Sequence, residues 1–434
     1  MRFDDDATLL ELARTYHTPL YVFDEATIRA KCAQLKAAIT YPNHRIRYAC
    51  KALTLQAVLK IILDEGLWID ASSLNEVHRA LRAGFNPAEI YYTGEGATRE
   101  VYGFLVEHGI LINCTSIDQI RLLGSIRPGL HCSIRINPGE GHGETTKTNT
   151  GGPSSKHGIY FDQMEEAKSV AASFGIRLVG VHSHIGSGTD LKHWLTIKDK
   201  TLAIAEAFPD LEFVNLGGGL PVVYNPATDK PMPLREWGAA LSSSMAAFSA
   251  RLGRDIRLFI EPGRFVVAES GLLLAEVQAI KETPGYRYAI VNTGHNHNIR
   301  PAMYGSWHPI RFIAHDGRAP GPQEDYVVAG YLCESGDVFT VTADGTLAPR
   351  PFPRLAIGDL MVMGHVGAYS HAMKSEYNSM NLPASVLIDR AGRPVVIERR
   401  GTLADIMRRE VEAYSEGRGE MVSSETGLHS PSPS

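Results

Sequence analysis

The sequence predicts an α/β protein, a (β/α)8 barrel of the TIM type followed by an all-β domain of the sandwich or barrel kind. Three observations carry this. Between residues 46 and 261, eight short β-branched or aromatic runs alternate with segments whose apolar residues fall three and four apart. Such alternation over one continuous stretch marks a closed parallel barrel. Polar residues of the kinds that carry chemistry recur at the carboxyl ends of those runs, the end where barrel enzymes place their reactive groups. After Ser270 the alternation stops and strand patterns dominate.

Residues 20–23 read as a strand, and Asp24 is placed to cap the helix that follows to about residue 39. The barrel strands are expected at 46–50, 67–70, 90–93, 110–114, 130–137, 178–184, 213–217 and 258–261. The β domain is expected to use 272–280, 288–292, 326–328, 338–342, 360–363 and a hairpin over 386–397 turning at 389–392, joined by the strand at 20–23. A last amphipathic helix is expected over 402–414. The domains so drawn are 25–269 for the barrel and 1–24 with 270–415 for the β domain. The tail, 416–434, ends in Ser, Gly and Pro and is expected to be disordered.

At 434 residues the chain exceeds one ordinary core, and 44% hydrophobic with 21% charged residues fits a soluble globular protein. A net charge of -5 without a long basic run argues against nucleic acid as a partner. Five scattered cysteines, at 32, 50, 114, 132 and 333, make neither a disulfide framework nor a CxxC metal site and suit a reducing cytoplasm. The first residues lack the basic flank and apolar core of a signal peptide, and no apolar run approaches membrane-spanning length, so a cytosolic protein without a membrane partner is expected.

Lys51 follows the first barrel strand beside an apolar wall. A lysine there is either a solvated surface residue or a desolvated one whose lowered pKa yields a neutral amine able to form a Schiff base with an aldehyde cofactor. Asp70 ends the second strand, Arg135 and Asn137 the fifth, His184 the sixth and Glu261 the eighth, so one barrel mouth collects them. Gly217-Gly218-Gly219 follows the seventh strand and is either a tight turn or a backbone cradle for phosphate. In Glu261-Pro262-Gly263-Arg264 the carboxylate can keep a pyridine nitrogen protonated and the arginine can bind an anion, or the two form a surface ion pair. His182 and His184 are two apart and share one side of a strand, which suits either a metal site or a stacking role for His184 with Ser187 on a phosphate. The long insertion 138–158 is expected to be a lid. Cys333, beside Glu334, is either a proton donor or a packing residue.

Over residues 18–403 these motifs resemble the meso-diaminopimelate decarboxylases, pyridoxal-phosphate enzymes of the alanine-racemase-like fold. The resemblance is carried by Ala49-Cys50-Lys51-Ala52, Arg135-Ile136-Asn137-Pro138, Ser155-Lys156-His157-Gly158-Ile159, His184-Ile185-Gly186-Ser187, Gly217-Gly218-Gly219 and Glu261-Pro262-Gly263-Arg264. It continues through Arg300-Pro301-Ala302-Met303-Tyr304, Cys333-Glu334-Ser335-Gly336-Asp337 and Gly367-Ala368-Tyr369. It implies a pyridoxal 5'-phosphate cofactor carried by Lys51, with His184 on its ring, Glu261 at its nitrogen, and Asp70 and Arg135 beside it. Its phosphate goes to Ser187, the glycine loop, Gly263, Arg264 and Tyr369. The substrate's distal end goes to Arg264, Arg300, Tyr304, Glu334 and Tyr369, and no metal is implied. Cys333 returns a proton to the carbon that loses carbon dioxide, from the second subunit of a homodimer with shared active sites. The implied reaction is decarboxylation of meso-2,6-diaminopimelate to lysine. An ornithine decarboxylase has no distal carboxylate to bind, so Arg300 is the discriminating residue.

The chain departs from that pattern at Asn292, His297 and His365, where the family usually has aspartates, and at Met380 and Asn381, where close relatives have Arg-Pro. Fewer carboxylates around the site would admit a more anionic substrate, so a paralogue acting on a modified or different amino acid is the alternative. A metal-dependent barrel hydrolase using His182 and His184, or a non-catalytic binding relative, are readings of another class.

Overall fold

The structure is a computed structural model that describes residues 5–143, 149–184, 186–188 and 190–410. Eight parallel strands close into a barrel: His44–Ala49, Trp68–Ala71, Ile90–Tyr92, Leu111–Cys114, His131–Asn137, Arg177–His182, Phe213–Asn215 and Arg257–Ile260. The last pairs back onto the first, Leu258 opposite His44, which removes the sheet edges. All eight expected strands are present. Because they are parallel, their carboxyl ends share one face, and the register puts Ala49 opposite Asp70 there.

The barrel helices start where short polar side chains can satisfy orphan amides. Asp24 accepts from the Thr27 amide at 2.9 Å, Ser73 from Glu76 at 3.2 Å and Ser116 from Gln119 at 3.2 Å. Their apolar faces, such as Val58, Leu59 and Ile62 on the helix Gln56–Asp64, pack against the outward residues of the strands.

A second, mostly antiparallel sheet of nine strands takes up the chain from Gly271 to Glu398 and recruits Leu20–Asp24. That early strand runs antiparallel to Gly271–Thr283 and parallel to Ala384–Ile388. The hairpin Ala384–Ile388 with Pro394–Glu398 turns where the sequence indicated, the Gly392 amide closing on the Asp389 carbonyl at 2.8 Å.

The second sheet also departs from expectation. Residues 338–342 form no strand and make only isolated bridges, Ala329 with Val338 and Val341 with Leu347. Thr340 Oγ1 accepts the Val328 amide at 3.0 Å, so a side chain takes the place a ladder carbonyl would fill. Two strands were not foreseen, Ile310–Ile313, which lacks alternation, and Arg350–Pro353, whose two prolines are tolerated because it lies at the sheet edge. A helix over Asp6–Tyr16, capped by Asp5, was also missed, and it buries Leu9 and Leu12 against Leu20 and Val22. The last helix spans Leu403–Met407 rather than 402–414, with Thr402 as its cap, and residues 411–414 and the tail lie outside the described residues. No helix among the described residues is long and apolar enough to cross a membrane.

Candidate active site

A cavity of about 570 Å³ opens at the carboxyl ends of the barrel strands, roofed by loops of the second sheet. Its wall brings together Lys51, Asp70, Arg135, His184, Ser187, Gly219, Glu261, Gly263, Arg264, Arg300, Tyr304 and Tyr369, most of the residues the sequence singled out. Lys51 sits on the short turn Cys50–Ala52, between a strand whose Ala49 amide is held by the Pro262 carbonyl at 3.2 Å and a loop whose Tyr369 amide donates to Ala52 O at 2.9 Å. Tyr369 has φ +59, a left-handed conformation strained for a tyrosine, where it joins the β domain to the turn carrying Lys51.

The lysine's electrostatics correct the sequence expectation. Burial pulls its pKa down, but Tyr369, Asp70 and Glu261 outweigh that, and the amine stands above the ordinary lysine value. Lys51 is therefore an ammonium among acids, and its neutral form requires loss of a proton within the site.

Two of the carboxyl groups at the mouth, Glu261 and Asp70, are driven apart. Burial alone would raise Glu261, but His182, with Nε2 3.3 Å from Glu261 Oε2, the Asn215 amide that donates to Oε1, and His184 hold it well below the carboxylate range. Asp70 is pushed well above its ordinary value by burial and by the charge of Glu261, and its Oδ1 has no hydrogen-bond partner. The same burial thus ends in opposite shifts for the two groups, set by what surrounds each. Arg135 stands 3.6 Å from Glu95, with burial lowering its pKa.

His184 accepts the Gly218 amide on Nδ1 at 3.0 Å, and burial with Arg135 and Lys51 pushes its pKa well down, leaving a neutral ring facing the cavity. The glycine loop lies beneath it. A Cβ on Gly217, at φ +64, would stand 2.6 Å from Ser183 O, and one on Gly218 would stand 2.4 Å from Glu261 O. Those two glycines are required by packing against the strand ends, and Gly219 is the one that borders the cavity.

The two arginines flank an aromatic residue that the sequence did not mark. Tyr224, in the loop after the seventh strand, has the Arg300 guanidinium 5.1 Å and the Arg264 guanidinium 5.8 Å from its ring centre. Arg300 also donates to Ser306 Oγ at 3.1 Å and is buried. Ser72, Thr93 and Glu95, just past the second and third strands, line the cavity too. The strand-end rule that found Asp70 would have found them. Of the insertion 138–158, Thr150 and His157 line the cavity, and Thr150 Oγ1 donates to His184 O at 2.7 Å. Residues 144–148 lie outside the described residues.

Cys333 and Glu334 are not brought to this cavity. Both are exposed on the second domain, where the Cys333 amide donates to Asn378 Oδ1 at 2.9 Å and Glu334 accepts from the Gly336 amide at 3.2 Å. The five departures from the family pattern also lie outside the wall that this chain forms by itself. Asn292 bridges Thr18 Oγ1 and the Glu276 amide. His297 is buried against Thr293, its pKa pushed down to about 3 by burial. His365 packs edge-on to Tyr224 behind the wall, Met380 follows Tyr377, and Asn381 is exposed. His182 and His184 do share one side of their strand, yet their ring nitrogens meet Asn113, Glu261 and the Gly218 amide.

The family model for the pyridoxal binding domain of pyridoxal-dependent decarboxylases matches residues 25–268. The chain is 40% identical to a diaminopimelate decarboxylase of Streptomyces coelicolor over 94% of this chain and 92% of that protein. It is 38% identical to one of Methanothermobacter thermautotrophicus, over 93% and 94%. A solved diaminopimelate decarboxylase from Helicobacter pylori in complex with L-lysine superposes with a TM-score of 0.82 at 30% identity, covering 92% of this chain and 98% of that one.

Proposed function

The chain belongs to the pyridoxal-dependent decarboxylases, in the diaminopimelate decarboxylase family, and from that premise we propose that it converts meso-2,6-diaminopimelate to lysine and carbon dioxide. The observation that carries this is one cavity holding a lysine, an ionised buried glutamate at its base and two arginines on its wall. The residues fit pyridoxal 5'-phosphate. Glu261 is held well below the carboxylate range, the His184 ring is pushed towards its neutral form, and Lys51 lines the same cavity.

When bound, that cofactor supplies an aldehyde for amine condensation and an electron sink for the pair released with carbon dioxide. Lys51 would hold it through Nζ, a nitrogen that can also move a proton. Glu261 would hold a proton on its ring nitrogen and so strengthen the electron sink. His184 would pack on its ring, with Asp70 and Arg135 among the residues that hold it. Ser187, Gly217, Gly218, Gly219 and the backbone at Gly263 would hold its phosphate, together with Arg264 and Tyr369, which would also bind the substrate. Arg300 and Tyr304 take the distal carboxylate, for which a guanidinium fork is the matching partner.

The proton that replaces the carboxyl group comes from Cys333, and the distal ammonium meets Glu334, both of the partner subunit in a homodimer. Support for this is that the chain's own cavity holds neither residue, while both are exposed. A cytosolic setting fits five free cysteines. The protein reconstituted with pyridoxal 5'-phosphate should release carbon dioxide from meso-diaminopimelate and accumulate lysine. A panel including lysine, ornithine, arginine and glutamate derivatives in which another amino acid is turned over faster would refute the substrate assignment.

A further inference from the structure

Below the cavity, buried polar side chains form a continuous chain through the barrel interior. Asn113 donates from Nδ2 to Thr93 Oγ1 at 3.2 Å and approaches Nδ1 of His182 at 2.7 Å, while its Oδ1 accepts from Ser133 Oγ at 2.9 Å. Ser133 in turn meets the Tyr91 hydroxyl at 2.7 Å. All of these are buried among strands that an ordinary barrel fills with aliphatic layers. Burying so many polar groups is costly unless each is satisfied, so the arrangement calls for a reason.

The direction of the chain supplies it. With Asn113 Oδ1 occupied by the Ser133 hydroxyl, the amide presents Nδ2 to His182, whose Nδ1 is then an acceptor. The imidazole proton is left on Nε2, which closes no hydrogen bond among the described residues and stands 3.3 Å from Oε2 of Glu261, a carboxylate oxygen within its reach. The other carboxylate oxygen takes the Asn215 amide, so both oxygens face donors from the barrel side.

We propose that His182 is a positioning residue for the reaction: Asn113 fixes its proton on Nε2, from which it donates to Glu261 and holds that carboxylate ionised and aimed at the cofactor ring nitrogen. A neutral donor is the useful species. An imidazolium at that distance would neutralise Glu261 and leave the ring nitrogen without an anion, whereas a neutral N–H orients the carboxylate and leaves its charge uncompensated. Burial, with Arg135 and Lys51 nearby, keeps the His182 pKa below its ordinary value and favours that neutral form.

The inference rests on Glu261 facing the ring nitrogen, and the test separates the two. Apoprotein is titrated with pyridoxal 5'-phosphate and with its 1-deaza analogue, in which a C–H replaces the ring nitrogen. Wild type should prefer the natural cofactor by roughly 10- to 100-fold, the worth of a hydrogen bond to a charged group. His182→Leu should lose most of that preference with affinity for the deaza analogue unchanged, and His182→Gln, which keeps an N–H, should restore part of it. Independently, the 15N spectrum of histidine-labelled wild-type apoprotein, with His182 assigned by its loss in His182→Gln, should show a neutral ring protonated on Nε2. A discriminating wild type with an equally discriminating His182→Leu overturns the proposal and spares the Glu261 reading, and a proton on Nδ1 or an imidazolium overturns it without need of a folded His182→Leu. A wild type that does not discriminate removes the Glu261 premise itself.

Discussion

If the active site is shared between subunits, two inactive variants should repair each other. Lys51→Ala removes the cofactor's covalent anchor, and Cys333→Ala removes the proton donor. The structure sets the expected magnitude, because Lys51 lies in the barrel cavity while Cys333 is exposed on the second domain and absent from the cavity wall of its own chain. After random subunit exchange at equal amounts, half of the dimers are mixed. In each of these, one site receives both lesions and the other receives none. Activity should therefore return to roughly a quarter of wild type. The assay is carbon dioxide release before and after exchange, with exchange followed independently by mass spectrometry of differently tagged chains. If both residues served one site within a single chain, every site in a mixed dimer would carry one lesion. No recovery despite demonstrated exchange would refute the shared site.

Arg300→Ala should lower kcat/KM on diaminopimelate by about 2–3 kcal/mol, the worth of a buried charge-assisted contact, and an equal loss on an amine lacking the distal carboxylate would contradict that role. Gly218→Ala should weaken cofactor binding and cost about 1–3 kcal/mol of stability, because the new Cβ would stand 2.4 Å from the Glu261 carbonyl; an unchanged denaturation midpoint and cofactor affinity would show that the loop yields. Glu398 is opposed by burial yet held down to about 2 by His371 and Lys374. A depressed carboxyl pKa stabilises the fold above its unfolded value of about 4.3 and loses that stabilisation as pH falls through the folded value. Urea melts of Glu398→Gln should thus fall short of wild type by about 2–3 kcal/mol at pH 7, less solvent screening, with the gap narrowing by pH 3. A gap independent of pH would assign the loss to packing instead.

The order of the barrel elements and much of the cavity wall were legible in the sequence. Eight strand runs separated by helical periodicity admit a parallel barrel, and parallel strands put all their carboxyl ends on one face, so Lys51, Asp70, Arg135, His184 and Glu261 could be gathered by their position in the chain. Local rules were enough wherever the cause was local, as at the Asp24 cap and the turn at Gly392. Only the tertiary structure decided charge and distance. Lys51 has a raised pKa because Tyr369, Asp70 and Glu261, far apart in the chain, converge on it, and Glu261 stays well below the carboxylate range because the barrel interior turns His182 and Asn215 towards it. Tyr224 between the two arginines, and the removal of His297 and His365 from the cavity wall, follow from loop packing that no period in the sequence encodes. The physical reason is that burial and Coulomb interactions depend on separation in space, whereas periodicity records only which side of an element a residue faces.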